Sequence, residues 1–203
     1  MTIQQLVNLA VEGELRTLQV KDNIPAIIGY VNLGLIELYK RFPLDVQEHL
    51  IELLDGVEVY TMPTDFMWIV AAYDEVPEGS SVVVLPIPIN EEDNPVSINT
   101  INWNQVQIPV TVTGSYISII YVAAPSYFTE SDVAEALPLP PQMVEALLHY
   151  IGYRAHGSDD GNVQAENSTH YQRFELSCKR IEQMGMFTSD DLSMIDRNMK
   201  GFA

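Results

Sequence analysis

The sequence predicts an α+β protein: a four-helix bundle formed by N-terminal and C-terminal helix pairs, an antiparallel β-rich lobe inserted between them, and a C-terminal tail. Three observations point there. Apolar residues recur at three- and four-residue spacing near both chain ends. Between them, from about 46 to 123, the pattern changes to short runs of Val, Ile, Thr and Tyr cut by Pro, Gly and Asn. The last segment carries scattered apolar residues with no period of its own. These boundaries give a bundle of residues 1–44 and 138–185, a lobe of 45–137 and a tail of 186–203.

Each element has its own justification. Residues 2–14 place Ile3, Leu6, Val7 and Ala10 on one helical face, and "TIQQ" offers a capping box with Thr2 at the N-cap and Gln5 three residues on. A second helix covers about 24–42 with the stripe Ile28, Val31, Leu35, Leu38 and Phe42, and Pro43 stops it. Gly29 and Gly34 inside that helix each cost about 1 kcal/mol relative to Ala, so both are expected to allow a neighbouring backbone to approach closely. In "HLIELLDGVEVYTM" the Asp55-Gly56 pair predicts a tight hairpin turn between two strands. Further strands are expected in "FMWIVAAYDE", "SSVVVLPI", "VSINTI", "VQIPVTV" and "SYISIIYVAA". The last is apolar on both faces and should be central. Acidic "NEEDNP", 90–95, reads as a loop tip. "LPLPPQ" sets up a third helix over about 141–156, with Pro141 first and Val144, Leu147, Leu148, Ile151 and Ala155 as its core stripe. "HGSDDG" breaks it, and a fourth helix runs over about 162–185 with Tyr171, Phe174, Cys178 and Ile181 inward. The last two helices thus form an αα-hairpin.

Composition narrows the function classes. At 203 residues with 47% apolar content, the chain can bury a sizeable core. No run approaches the roughly 20 apolar residues of a membrane span. The start "MTIQQLVNLAVEGE" lacks the basic opening and cleavage site of a signal peptide, so a soluble chain made in a cytoplasm, with no membrane partner, is expected. Cys178 is the single cysteine, which excludes an internal disulfide and a Cys-based zinc cluster. With 10 Lys and Arg against 28 Asp and Glu, the net charge of −18 opposes wrapping nucleic acid, although an acidic wall suits a polymer that must slide past without sticking.

Several residue groups could carry chemistry, and none forms a full constellation. Glu145, His149 and His156 share a face of the third helix, and a metal could bridge the first two. Without an H-E-x-x-H pairing or a third ligand at fixed spacing, the stripe reads as solvated or subunit-facing, and no metal or cofactor is expected. His170 precedes Tyr171 and flanks the buried stripe; His49 sits in a strand without a partner. Asp159, Asp160 and Asn162 around Gly161 lack the ligand order of a calcium loop and suit capping of the fourth helix. Cys178 lies in an apolar stripe with no His placed to activate it. Asn167-Ser168-Thr169 matches the glycosylation tripeptide but falls mid-helix. Phosphate-cradling glycine motifs and G-x-S-x-G are absent, so no catalytic residues are assigned and the chain is not expected to be an enzyme.

Taken in order, "YVNLGLIELYKRFP", "LLDGVEVYTMPTDFMWIVAAYDE", "YVAAP" and "LPLPPQMVEALLHYIGYRAHGSDDGNVQAENSTHYQRFE" resemble the head-to-tail adaptor (connector) proteins of short-tailed and related tailed bacteriophages, over most of residues 1–183. The last block is the most specific. "GELRTLQVKDNIP" departs from the aromatic-acidic helix start of that family. The resemblance implies a virion structural protein: a homo-oligomeric ring, usually of about twelve copies, seated under the portal protein, facing the tail nozzle or tail fibre protein, with DNA passing through unbound. It also implies that the C-terminal segment reaches toward the portal. Leu192, Met194, Ile195, Arg197, Met199 and Phe202 are then the candidate portal-docking residues, in a tail expected to fold only on its partner. Next in order come another virion component, such as a tail completion protein, and a cellular binding module or hydrolase.

Overall fold

The computed structural model describes residues 1–74, 86–109, 112, 115–157 and 164–185, with backbone only at 164–168. The protein is α+β, and its chain divides into two compact units: Met1–Phe42 with the chain from Pro125 on, and Pro43–Ala124. The segment 125–137, assigned to the lobe by sequence, thus belongs with the helices.

Helix α1 (Ile3–Glu12) begins with the expected capping box. The Gln5 N–H donates to Thr2 Oγ1 at 3.3 Å and the Thr2 N–H to Gln5 Oε1 at 3.0 Å. Two more of its free N–H groups find backbone acceptors in the post-sheet segment: Ile3 donates to the Glu135 carbonyl and Gln4 to that of Val133. Ile3, Leu6, Val7 and Ala10 are buried as their spacing required.

Helix α2 (Ile24–Arg41) starts at Asn23, whose Oδ1 accepts from the Ala26 N–H at 3.2 Å, followed by Pro25 in the first turn. Asn23 thus caps the helix and Pro25 presets its first turn, which places its start where the sequence put it. Ile28, Val31, Leu35, Leu38 and Phe42 are all buried. The two glycines part company. A Cβ on Gly34 would sit 2.4 Å from Leu147 Cδ1 and 3.0 Å from a Tyr150 ring carbon, so Gly34 sets the closeness of the next helix. Nothing among the described residues lies within 4 Å of a Cβ placed on Gly29, so no close approach accounts for it there.

That next helix, α3 (Val144–His156), follows a 3-10 turn at Pro141–Met143 and packs against α1, α2 and α4 (Gln164–Gln183). Leu147, Ile151 and Ala155 are buried, whereas Val144 and Leu148 are half-buried; Met143, Ala146 and Tyr150 take their places in the core. From α4 come Phe174, Cys178 and Ile181, but Tyr171 stays 43% exposed, its ring lying 5.1 Å from that of Tyr153. Arg41, at the end of α2, ties α2 to α4 by donating to Glu182 at 2.7 Å and Glu175 at 3.0 Å. Asn32 ties α2 to the post-sheet segment, since its side chain donates to the Phe128 carbonyl at 2.8 Å and accepts from the Phe128 N–H at 2.9 Å. Asn32→Leu leaves both buried groups unpaired. Chemical denaturation should show a loss of about 2 kcal/mol, because the segment can shift to rewet them.

The second unit holds two three-stranded antiparallel sheets among the described residues. In one, β6 (Tyr116–Ala123) lies between β1 (Val46–Glu52) and β3 (Phe66–Asp74), with Ile51 opposite Ile117 and Ala72 opposite Ile119. From Ile117 to Ala123 every β6 residue is buried, as its unbroken apolar run predicted for a central strand. In the other, β5 (Gln105–Gln107) lies between β2 (Val59–Thr61) and β4 (Asn99–Asn102). Ile51, Phe66, Ile69, Ile98, Val106 and Ile117 belong to one apolar cluster that joins strands of both sheets.

The predicted hairpin is therefore half right. Asp55-Gly56 does turn the chain: the Val57 N–H donates to the Leu54 carbonyl, Gly56 takes φ +74°, and the Tyr60 hydroxyl bonds to both Leu54 and Val57. The strands it joins pair elsewhere, β1 with β6 and β2 with β5. A turn signal is local, while the partner of a strand is chosen by side-chain packing far along the chain. The 90–95 segment is a loop, with Asn90 at φ +54° and its side chain accepting from the Thr100 N–H. Most of "SSVVVLPI" lies outside the described residues, although the Ile87 N–H donates to the Ala72 carbonyl at the edge of β3.

Candidate functional site

Of the α3 stripe expected to be solvated or subunit-facing, Glu145 is exposed, whereas His149 and His156 are covered from within the chain. Beyond α1, Gly13 ends the helix and turns the chain so that Glu14 reaches the same place as His149 of α3 and His170 of α4. Glu14 Oε1 lies 3.3 Å from His149 Nδ1, and Glu14 Oε2 lies 3.0 Å from His170 Nδ1. Both imidazole nitrogens are shielded from solvent, and neither is aligned for a hydrogen bond. The exposed Glu145, one turn before His149, stands 3.6 Å from its other nitrogen, Nε2.

His156 belongs to the same cluster and is only 7% exposed. Its ring stacks on that of His170 with centroids 4.6 Å apart, and its Nε2 lies 3.3 Å from the Glu14 carbonyl oxygen. Gly152 makes room for this. A Cβ there would come within 2.8 Å of His170 Nδ1 and 3.3 Å of Glu14 Cβ. Burial holds the His170 pKa below its ordinary value, outweighing the attraction of the Glu14 carboxylate, and the neighbouring His156, Arg173 and His149 push the same way as burial. Burial thus favours the uncharged imidazole form of His170. One oxygen of Glu14 and one nitrogen from each of His149 and His170 all lie within 4.8 Å of one another, a spacing that a metal ion could bridge.

Sequence reasoning had Glu145, His149, His156 and His170 in hand but missed Glu14 and Gly152. Glu14 comes from the far end of the chain, and only the α1–α3 packing delivers it. The signal for Gly152 was its cost: a glycine inside a helix needs a neighbour that demands the space.

The remaining candidates resolve simply. His49 stays in β1, half-buried, opposite Ile119. Asn167-Ser168-Thr169 falls within α4. Asp159, Asp160 and Asn162 lie outside the described residues, as do Leu192, Met194, Ile195, Arg197, Met199 and Phe202. Cys178 is fully buried, and burial pushes its thiol up to about 11 although nearby Arg41 pulls the other way. A thiol reagent at mildly alkaline pH should therefore label it slowly in the native protein and rapidly in denaturant. Equal rates in the two states would contradict its place in the core. Among the described residues, no helix is long and apolar enough to cross a membrane.

Comparison with known proteins adds the identity. No curated protein matches in sequence. One solved structure, described as the neck of an empty GTA particle computed with C6 symmetry, is similar at 12% identity and a TM-score of 0.30, covering 84% of this chain and 91% of that one. A likeness that loose carries no argument. The family model described as SU10 adaptor protein matches residues 1–195, nearly the whole chain. The chain therefore belongs to the SU10 adaptor protein family.

Proposed function

We propose that this chain is a phage virion structural protein, a head-to-tail adaptor whose copies close into a ring of about twelve between the portal and the tail nozzle or fibres. The observation that carries this reading is the family match across residues 1–195. An adaptor works by joining two assemblies, so the role requires surfaces rather than a catalytic constellation. In this reading the helices of both chain ends act as one four-helix bundle, the β unit is a lobe inserted between them, and residues 186–203 form the tail whose Leu192, Met194, Ile195, Arg197, Met199 and Phe202 anchor on the portal.

The charge supports the channel role. A net charge of −18 gives the ring many carboxylates to place along its lumen, where they repel the phosphates of passing DNA and keep friction low. Incubating the purified chain with DNA-filled, tail-less heads and sedimenting them tests the proposal. Co-sedimentation at several copies per head is expected, and it should depend on the portal. Binding to heads that lack the portal, or no binding at all, counts against an adaptor.

A further inference from the structure

We propose that Glu14, His149 and His170 form a binding site for a divalent transition metal ion of the zinc class, which staples the chain after α1 to α3 and α4. The site is built from three separate stretches of chain that only the fold brings together. The two Nδ1 atoms are buried with no hydrogen bond, and buried polar atoms left in this state call for a partner. They lie 3.3 Å and 3.0 Å from the two carboxylate oxygens. Each separation runs to a different oxygen of Glu14, and one oxygen with both nitrogens falls within 4.8 Å, close enough for small side-chain rotations to bring them to the bonds of about 2.0–2.1 Å that zinc takes.

The donor set argues for the class of ion. Two imidazoles and one carboxylate suit zinc and its first-row neighbours rather than calcium or magnesium, which take all-oxygen shells. Glu145 stands 3.6 Å from the far nitrogen of His149, just beyond hydrogen-bond distance, so a small rotation of this exposed side chain would let it accept from Nε2 and leave Nδ1 as the ligand atom. Gly152 opens the space in front of His170 Nδ1 that any side chain would close. Three protein ligands leave coordination positions for water. Because the ligands come from both ends of the chain, the ion would act on the cohesion of the helical unit. Proposed adaptor function does not depend on it.

The test uses the purified, untagged full-length chain, stripped with chelator and titrated with Zn2+ by calorimetry and with Co2+ by visible absorption. One ion per chain is expected, with the strong visible bands of low-coordinate Co2+ and a rise of several degrees in thermal midpoint. Glu14→Gln, which keeps shape, and His170→Ala should each weaken binding about 100-fold or more. His49→Ala, outside the cluster, should bind as the parent does. Far-UV circular dichroism of each metal-free variant checks that it has folded. Folded parent chain that takes up no ion, or uptake undiminished in Glu14→Gln, overturns the proposal and leaves the cluster as a polar contact among three stretches of the chain.

Discussion

Leu147→Ala is expected to lower the stability of the helical unit by about 2–5 kcal/mol, and Phe174→Ala by about 3–5 kcal/mol. Leu147 is fully buried where α3 meets Gly34 of α2, so truncation there opens a cavity at a close contact between the two helices. Gly34 offers no side chain that could fill it. Phe174 is 4% exposed and holds its ring 5.3 Å from that of Tyr150, edge to face, so its loss removes both apolar area and an aromatic pair across α3 and α4. Leu176, half exposed two residues on, is the control: Leu176→Ala should change stability by no more than about 0.5 kcal/mol. The readout should be the helical signal in far-UV circular dichroism. Both tryptophans, Trp68 and Trp103, lie in the β unit, so fluorescence reports that unit instead. Unchanged helical stability in both core variants would contradict the packing of α2, α3 and α4.

Removing residues 186–203 should abolish joining to portal-containing heads while leaving a folded protein. Leu192, Met194, Ile195, Met199 and Phe202 alternate with Asp190, Asp191, Asp196, Arg197 and Lys200 over too short a stretch to own a core. Such a composition suits a segment that gains its apolar contacts from a partner. Phe174, Cys178 and Ile181 of α4 already take their places in the described core, so the shortened chain keeps that packing. Normal incorporation of the shortened chain, measured by co-sedimentation, would move the portal contact to another surface.

The helices were legible because their signals are local. Thr2 and Gln5 wrote the start of α1 and the stripe from Ile28 to Phe42 wrote the buried face of α2, while Pro141, expected as the first residue of α3, instead opens the 3-10 turn that precedes it. The central position of β6 was legible too, since Ile117 to Ala123 leave no polar face to show to water. Pairing was not legible: Asp55-Gly56 announces a turn, yet β1 pairs as far away as Val122 and β2 as far as Gln107. The histidine cluster failed for the same reason. His149 and His156 look like surface residues on a helical wheel until the loop carrying Glu14 and the helix carrying His170 cover them. Gly29 shows the opposite error, a costly residue with no close neighbour among the described residues to account for it.

The most direct test of the central claim is a reconstruction of the neck of the particle whose genome encodes this chain. The adaptor account predicts a closed ring of this protein beneath the portal, with carboxylates lining the lumen. A neck that lacks the chain, or a ring whose narrowest point is lined by Lys and Arg with the acidic residues all outside, would contradict it.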